Sequence, residues 1–221
     1  MKFFQGNIFK LFKINRVESW LLPGSYRVIQ LEKIAKKTSF SFTPKDEFGI
    51  LNLLKDFRLF QLGGAKSIVN ILRDNAALDE SDFQVFDYQY TISDGENALN
   101  YPQTVFFAQS KKLALPPFSI RPPHFFNHTA NYLNFGDINE EASPLFSDQF
   151  MGGGETRRQL HKNLSAEMLH FFTTEKDWNV EGFNYYMIFY KKNKVLPTTE
   201  ILDFLEKGKQ LVEMFSRTKR P

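Results

Sequence analysis

The chain predicts an α+β fold: an antiparallel β-meander with helices packed mainly on one face, closed by a C-terminal β-α-β-β-α portion. Three observations predict it. Apolar residues recur at helical spacing near both ends, in Arg27–Lys37 and after Pro197. Between them lie aromatic and β-branched runs joined by short polar links, the signature of paired strands. The 221 residues include 25 Phe, 8 Tyr and 2 Trp, enough large apolar side chains to cover a sheet.

The elements follow in order. Arg27–Lys37 places Val28, Leu31, Ile34 and Ala35 on one helical face. Ser39–Thr43 alternates, with Phe40 and Phe42 on one side, and predicts a short strand. Thr43-Pro44-Lys45-Asp46 then reads as a helix start, with Thr43 as cap and Ile50, Leu51, Leu54 and Phe57 facing inward. Gly63-Gly64 ends that region. Ser67–Arg73, Phe83–Thr91, Thr104–Gln109 and Leu115–Arg121 predict four consecutive meander strands of a sheet of about four to six. Ser93-Asp94-Gly95 supplies a turn, and Pro116-Pro117 breaks the last strand. His124–Asn134 reads as a short helix before the acidic loop Gly136–Pro144. Leu145–Met151 reads as extended and Glu155–Asn163 as helical, and Ser165 caps a helix carrying Met168, Leu169 and Phe172. Trp178–Glu181 and Tyr185–Tyr190 form a hairpin around Gly182-Phe183-Asn184. Thr198 or Thr199 caps a last helix with Ile201, Leu202, Leu205, Val212 and Phe215 inward. The expected organisation is a basic amphipathic segment, 1–20, followed by one α+β domain, 21–221, with sub-parts 21–135 and 145–221.

Composition excludes several chemistries. Cysteine is absent, which removes disulfides, thiol catalysis, iron–sulfur clusters and thiolate zinc sites. No apolar run reaches the roughly 18 residues of a membrane span. Charge is segregated: residues 1–40 carry +6, residues 74–110 carry −7, and residues 206–221 carry +3. An acidic centre opposes a polyanion, so nucleic acid is disfavoured as a partner.

The first sixteen residues stand apart. On a helix, Phe3, Phe4, Ile8, Leu11, Phe12 and Ile14 share a broad face, with Phe9 the misfit, and Lys2, Lys10, Lys13 and Arg16 lie opposite. Lys10 and Lys13 interrupt the apolar stretch, so it does not read as a signal peptide. Phe3, Phe4, Ile8, Leu11 and Phe12 suit insertion at a bilayer interface, while Lys10, Lys13 and Arg16 suit lipid phosphates. The competing reading is a helix docked on its own core. The expected location is the cytoplasm, in association with the inner face of a membrane.

Several motifs carry a resemblance. They are Phe40-Ser41-Phe42, Val69-Asn70-Ile71-Leu72, Phe86-Asp87-Tyr88-Gln89-Tyr90-Thr91 (FDYxYT) and Gln103-Thr104-Val105. Leu115-Pro116-Pro117-Phe118-Ser119-Ile120-Arg121-Pro122 (LPPFxIRP), Phe146-Ser147, Trp178-Asn179-Val180-Glu181-Gly182 (W-x-VEG) and Leu196-Pro197 complete the set. Over about residues 28–215 the chain resembles a bacterial family of soluble α+β domains with no assigned activity, many of which carry an N-terminal membrane helix. The resemblance implies a soluble domain displayed near a membrane, and it implies no chemistry. The chain departs from that pattern at its N-terminus, where the short basic amphipathic segment stands instead.

Candidate sites are sparse. Gly152-Gly153-Gly154 opens a helical stretch with Arg157 and Arg158, which together suit an anion, but it lacks the spacing of a phosphate-binding loop and Glu155 opposes one. His124 and His128 have helical metal-ligand spacing without a defined third ligand, so no metal is expected. Asp87 lies inside a strand between Phe86 and Tyr88, where a carboxylate is either buried and paired, with a basic residue (Arg73 or Arg121) or with backbone amides, or faces a pocket. Tyr185–Tyr190, with Lys191, Lys192 and Lys194, suits base stacking but reads more simply as a strand covered on both faces. No cofactor motif is present. The leading expectation is a non-enzymatic binding or scaffold domain whose partner is another protein or an anionic membrane. The alternative is a small-ligand-binding or hydrolytic enzyme with a pocket near Asp87 and Arg121.

Overall fold

The computed structural model describes residues 25–75, 81–93, 95, 97–121, 150–151, 165–175 and 177–217. The expectations for the N-terminal segment, His124–Asn134, the loop Gly136–Pro144 and the helix at Glu155–Asn163 lie outside these residues. So do the side chains of His124, His128, Arg157 and Arg158.

Helix α1 (Tyr26–Lys37) starts at Ser25, whose Oγ accepts from Val28 N, and buries Arg27, Val28 and Leu31. Strand β1 (Phe40–Lys45) runs further than its alternation suggests, taking in Pro44. Proline is tolerated there because β1 is the sheet edge, with no ladder bond to donate outward. The helix expected to begin at Thr43 therefore starts later, as the short helices α2 (Ile50–Leu53) and α3 (Arg58–Gln61). The cap is Asp46, whose two carboxylate oxygens accept from Ile50 N and Leu51 N at 2.9 Å each.

Strands β2 (Gly64–Asp74), β3 (Asp82–Ser93) and β4 (Ala98–Gln109) continue from β1 as an antiparallel meander. The chain enters β2 through Gly63, at φ +56°, where a Cβ would lie 2.4 Å from Thr91 O. A bulge places Asn70 and Ile71 opposite Phe86, and Asn70 takes φ 54°, a conformation asparagine tolerates.

Strand β5 (Leu115–Ile120) does not pair with β4, contrary to the expected four-strand meander. The hairpin β7 (Asn179–Asn184) and β8 (Tyr186–Tyr190) inserts between them. The eight described strands run β1-β2-β3-β4-β8-β7-β5-β6, where β6 is the two-residue Phe150–Met151. The order has a physical reason. Pro116 and Pro117 deny β5 two consecutive donors, and its register shifts between Leu115 and Phe118. Strand β8 has every donor and apolar side chains on both faces, which suits it to the sheet centre. The hairpin turn is tighter than expected: Phe183 pairs with Tyr186, leaving Asn184 and Tyr185 at the bend.

Helix α4 (Ala166–Thr174) is capped by Ser165, as its sequence indicates, and α5 (Ile201–Arg217) closes the fold. Neither Thr198 nor Thr199 caps α5; the chain enters it through a 3₁₀ turn, Thr198–Glu200, without a side-chain cap. Its inward face is Ile201, Phe204, Leu205, Gly208, Leu211, Val212 and Phe215. Leu202, expected inside, is 40% exposed because it lies off that stripe.

The sheet is covered on both faces. Helices α1, α4 and α5 bury one face, through Leu31, Leu72, Val85, Phe106, Phe171, Phe189 and Phe204. The link carrying α2 and α3 crosses the other, through Leu54, Phe57, Phe60, Phe86, Tyr88 and Phe107. Trp178 stacks on Phe189 at 4.2 Å and on Phe204 at 5.2 Å, joining the hairpin to α5. Among the described residues no helix is long and apolar enough to cross a membrane.

Gly208 sets how closely α5 approaches the sheet, since a Cβ there would lie 2.5 Å from the Phe106 ring. Alanine in a helix interior normally stabilises by about 1 kcal/mol relative to glycine. Here overpacking at about 1–3 kcal/mol outweighs that gain. Gly208→Ala is expected to lower Tm by a few degrees, measured by thermal unfolding.

Candidate functional site

Asp87 points from β3 toward α1, and its partner is Arg27. Arg27 Nε donates to Asp87 Oδ2 at 2.6 Å and Nη2 to Oδ1 at 2.7 Å, a bidentate pair with side chains only 10% and 8% exposed. Asn70 Nδ2 donates to Oδ2 at 2.9 Å, and Thr104 Oγ1 donates to Oδ1 at 2.9 Å. Four donor bonds therefore saturate the carboxylate. The bulge at Asn70 brings that amide to it, and the pairing of Asp87 with Thr104 across β3 and β4 brings the hydroxyl.

The cations named from sequence are elsewhere. Arg73 pairs with Asp82 at 2.8 Å. Arg121 lies on the opposite face of the sheet and donates to Ser119 Oγ at 3.2 Å. Asp87 and Arg121 therefore do not share a pocket. Arg27 carries no local sequence signal for this role, because its partner lies sixty residues away on another element.

The network extends from Asp87 into the segment after β8. Arg27 Nη1 donates to Leu196 O at 2.7 Å, and Leu196 N donates to Thr104 Oγ1 at 3.0 Å. Thr104 N donates to Lys194 O at 3.0 Å, and Asn193 N donates to Gln103 Oε1 at 3.2 Å. Residues 191–197 are thus stapled along β4 and α1.

That segment forms one wall of a small notch of about 110 Å³. The floor is Trp178, Leu196 and Phe204; the rim carries Lys191, Lys194, Lys207, Glu175, Glu200 and Asp203. The Lys191 ammonium lies over the Trp178 ring, 4.4 Å from its centre. Lys207 bridges Glu175 at 2.9 Å and Asp203 at 3.4 Å. The hydrogen bond from Lys207 holds the Glu175 carboxyl below its ordinary range, aided by Trp178 Nε1, which donates at 3.2 Å.

A second buried carboxylate occupies the other face. Glu181, 2% exposed, accepts from Tyr190 Oη at 2.8 Å and from Arg58 N at 2.7 Å. It thereby caps α3, whose N-cap residue Phe57 makes no side-chain cap bond. Burial pushes the Glu181 carboxyl above its ordinary range, against the hydrogen bond from Tyr190 and the nearby Arg121. Burial and Arg121 lower both Arg58 and Lys192. Strand alternation places Glu181 opposite Val180, which identifies its face; the long-range cap on α3 has no sequence signal. Among the described residues no three His, Asp or Glu side chains are placed to hold a metal.

No family model, curated protein or solved structure matches this chain.

Removing one member of a buried pair leaves the other charge stranded. Asp87→Asn is expected to cost about 3–5 kcal/mol in urea unfolding. The double variant Arg27→Met/Asp87→Leu is expected to cost less than the sum of its single changes, because neither charge remains.

Glu181 makes an opposite pH prediction to the usual paired acid. Its folded pKa is raised, so the folded state holds the proton over a window in which the unfolded chain has lost it. Its contribution to stability therefore falls as pH rises from the unfolded carboxyl value, about 4.3, through the folded one. Glu181→Gln keeps an acceptor for Arg58 N and is expected to flatten that decline. Thermal melts of both proteins between about pH 4.5 and 8 check it.

Proposed function

We propose that the chain is a non-enzymatic binding domain that works at an anionic membrane surface. The observation that carries the non-enzymatic reading is the saturation of Asp87, the acid that the sequence offers most readily for chemistry. Its four donors leave it no acceptor site to spare for moving a proton. Glu181 is likewise engaged in holding α3 to the sheet.

The membrane reading rests on residues 1–16. Phe3, Phe4, Ile8, Leu11 and Phe12 bury apolar area at the interface, and Lys10, Lys13 and Arg16 add attraction to anionic headgroups. Each basic residue near such a surface contributes about 1 kcal/mol, screened by salt. The exposed ridge of α1 adds to this reading, because Tyr26 and Ile29 lead into Lys33, Lys36 and Lys37 on the same side of the helix. The resemblance to a family displayed near membranes points the same way.

Co-sedimentation with vesicles tests it. The full chain is expected to pellet with anionic vesicles at low salt, to pellet less at high salt and to remain in solution with neutral vesicles. The double variant Phe4→Asp/Phe12→Asp is expected to remain in solution with both. A wild-type chain that stays in the supernatant with anionic vesicles at low salt overturns the membrane reading and leaves residues 1–16 as a core-docking segment.

A further inference from the structure

The notch between the 191–197 segment and the start of α5 presents two opposite charges that no described residue pairs with. Lys194 and Glu200 both line it, yet neither forms an ion pair with the other or with any described residue. Its remaining rim charges are committed: Glu175 and Asp203 share Lys207, and Lys191 lies over Trp178. The two unused charges stand on different walls, one on the loop after β8 and the other on the 3₁₀ turn that leads into α5.

We propose that this notch binds a small zwitterion, with an ammonium and a carboxylate a few bonds apart, of the size of a short α-amino acid. The carboxylate meets Lys194 and the ammonium meets Glu200. A ligand with one charge neutralises one wall and leaves the other to be desolvated without compensation. Size bounds the class: a cavity of about 150 Å³ holds the six heavy atoms of benzene, and the notch measures about 110 Å³, so it encloses about four heavy atoms and leaves the charged ends of a short amino acid at the exposed Lys194 and Glu200. The floor of Trp178, Leu196 and Phe204 accepts a short apolar side chain.

The walls are set before a ligand arrives. Arg27 and Thr104 fix both backbone groups of Leu196, and Lys194 O accepts from Thr104 N. The buried Asp87 network thus acts as the positioning frame of the site. Because Lys194 and Glu200 are exposed, solvent screens them, and the expected Kd is on the order of 1 mM. The site, lined by Trp178, Lys194, Leu196 and Glu200 among the described residues, does not rest on the membrane reading.

The test is a titration of the isotopically labelled full chain, following the indole N–H signal of Trp178, distinguished from that of Trp20 with the Trp20→Phe variant. The probes are L-alanine, L-alaninamide (cation only) and L-lactate (anion only). L-Alanine is expected to shift the signal saturably, with the two singly charged probes at least about tenfold weaker. Lys194→Gln is expected to weaken L-alanine about tenfold and leave L-alaninamide unchanged. Glu200→Gln is expected to weaken L-alanine and leave L-lactate unchanged. An absence of saturable shift with L-alanine, equal affinity for the three probes, or an L-alanine affinity untouched by both substitutions overturns the proposal.

Discussion

The bidentate pair between Arg27 and Asp87 is the constraint around which one face of the molecule is arranged. Arg27 belongs to α1 and Asp87 to β3, sixty residues apart in sequence. Asn70 from β2, Thr104 from β4 and the carbonyl of Leu196 complete the same network. Five separate parts of the chain therefore meet at one carboxylate and one guanidinium. Two buried charges gain little net stability over an apolar pair of the same shape. Their effect is to fix geometry, because hydrogen-bond directions specify a register that apolar contact leaves loose. The bulge in β2 is part of this device, since the left-handed Asn70 aims its amide at Asp87.

The other face solves a different problem. Helix α3 is four residues long and has no capping side chain of its own. Glu181 reaches it from β7 and accepts from Arg58 N, so a buried carboxylate stands in for a local cap. Tyr190 supplies the second hydrogen bond and shares the apolar surroundings that raise both groups. The two carboxylates thus serve parallel ends on opposite faces. Asp87 holds a helix and a loop to the sheet, and Glu181 holds the short helical link that covers its other side.

These commitments shape the functional reading. Asp87 and Glu181 are tied to architecture, while Lys194 and Glu200 stand exposed at the surface. The notch beside Trp178 is where the two kinds of residue meet, because the loop that carries Lys191 and Lys194 is placed by the Asp87 network. The sequence suggests a pocket near both Asp87 and Arg121. Alternation along β3 and β5 puts them on opposite sides of the sheet, a consequence of strand parity that needs the pairing partners to be known.

Local signals in the chain determined the long elements: the apolar stripes of α1 and α5, the serine cap of α4, the glycine at the entry to β2 and the alternating strands of the meander. These depend on residues a few positions apart, so composition and spacing suffice. Tertiary structure decided the rest. The insertion of the β7–β8 hairpin between β4 and β5 depended on competition for one strand edge, which Pro116 and Pro117 lost and Tyr186–Tyr190 won. The partner of Asp87, the cap of α3 and the notch between the 191–197 segment and α5 each join residues separated by many positions. Such contacts arise only when the sheet order is set, and no local propensity encodes them.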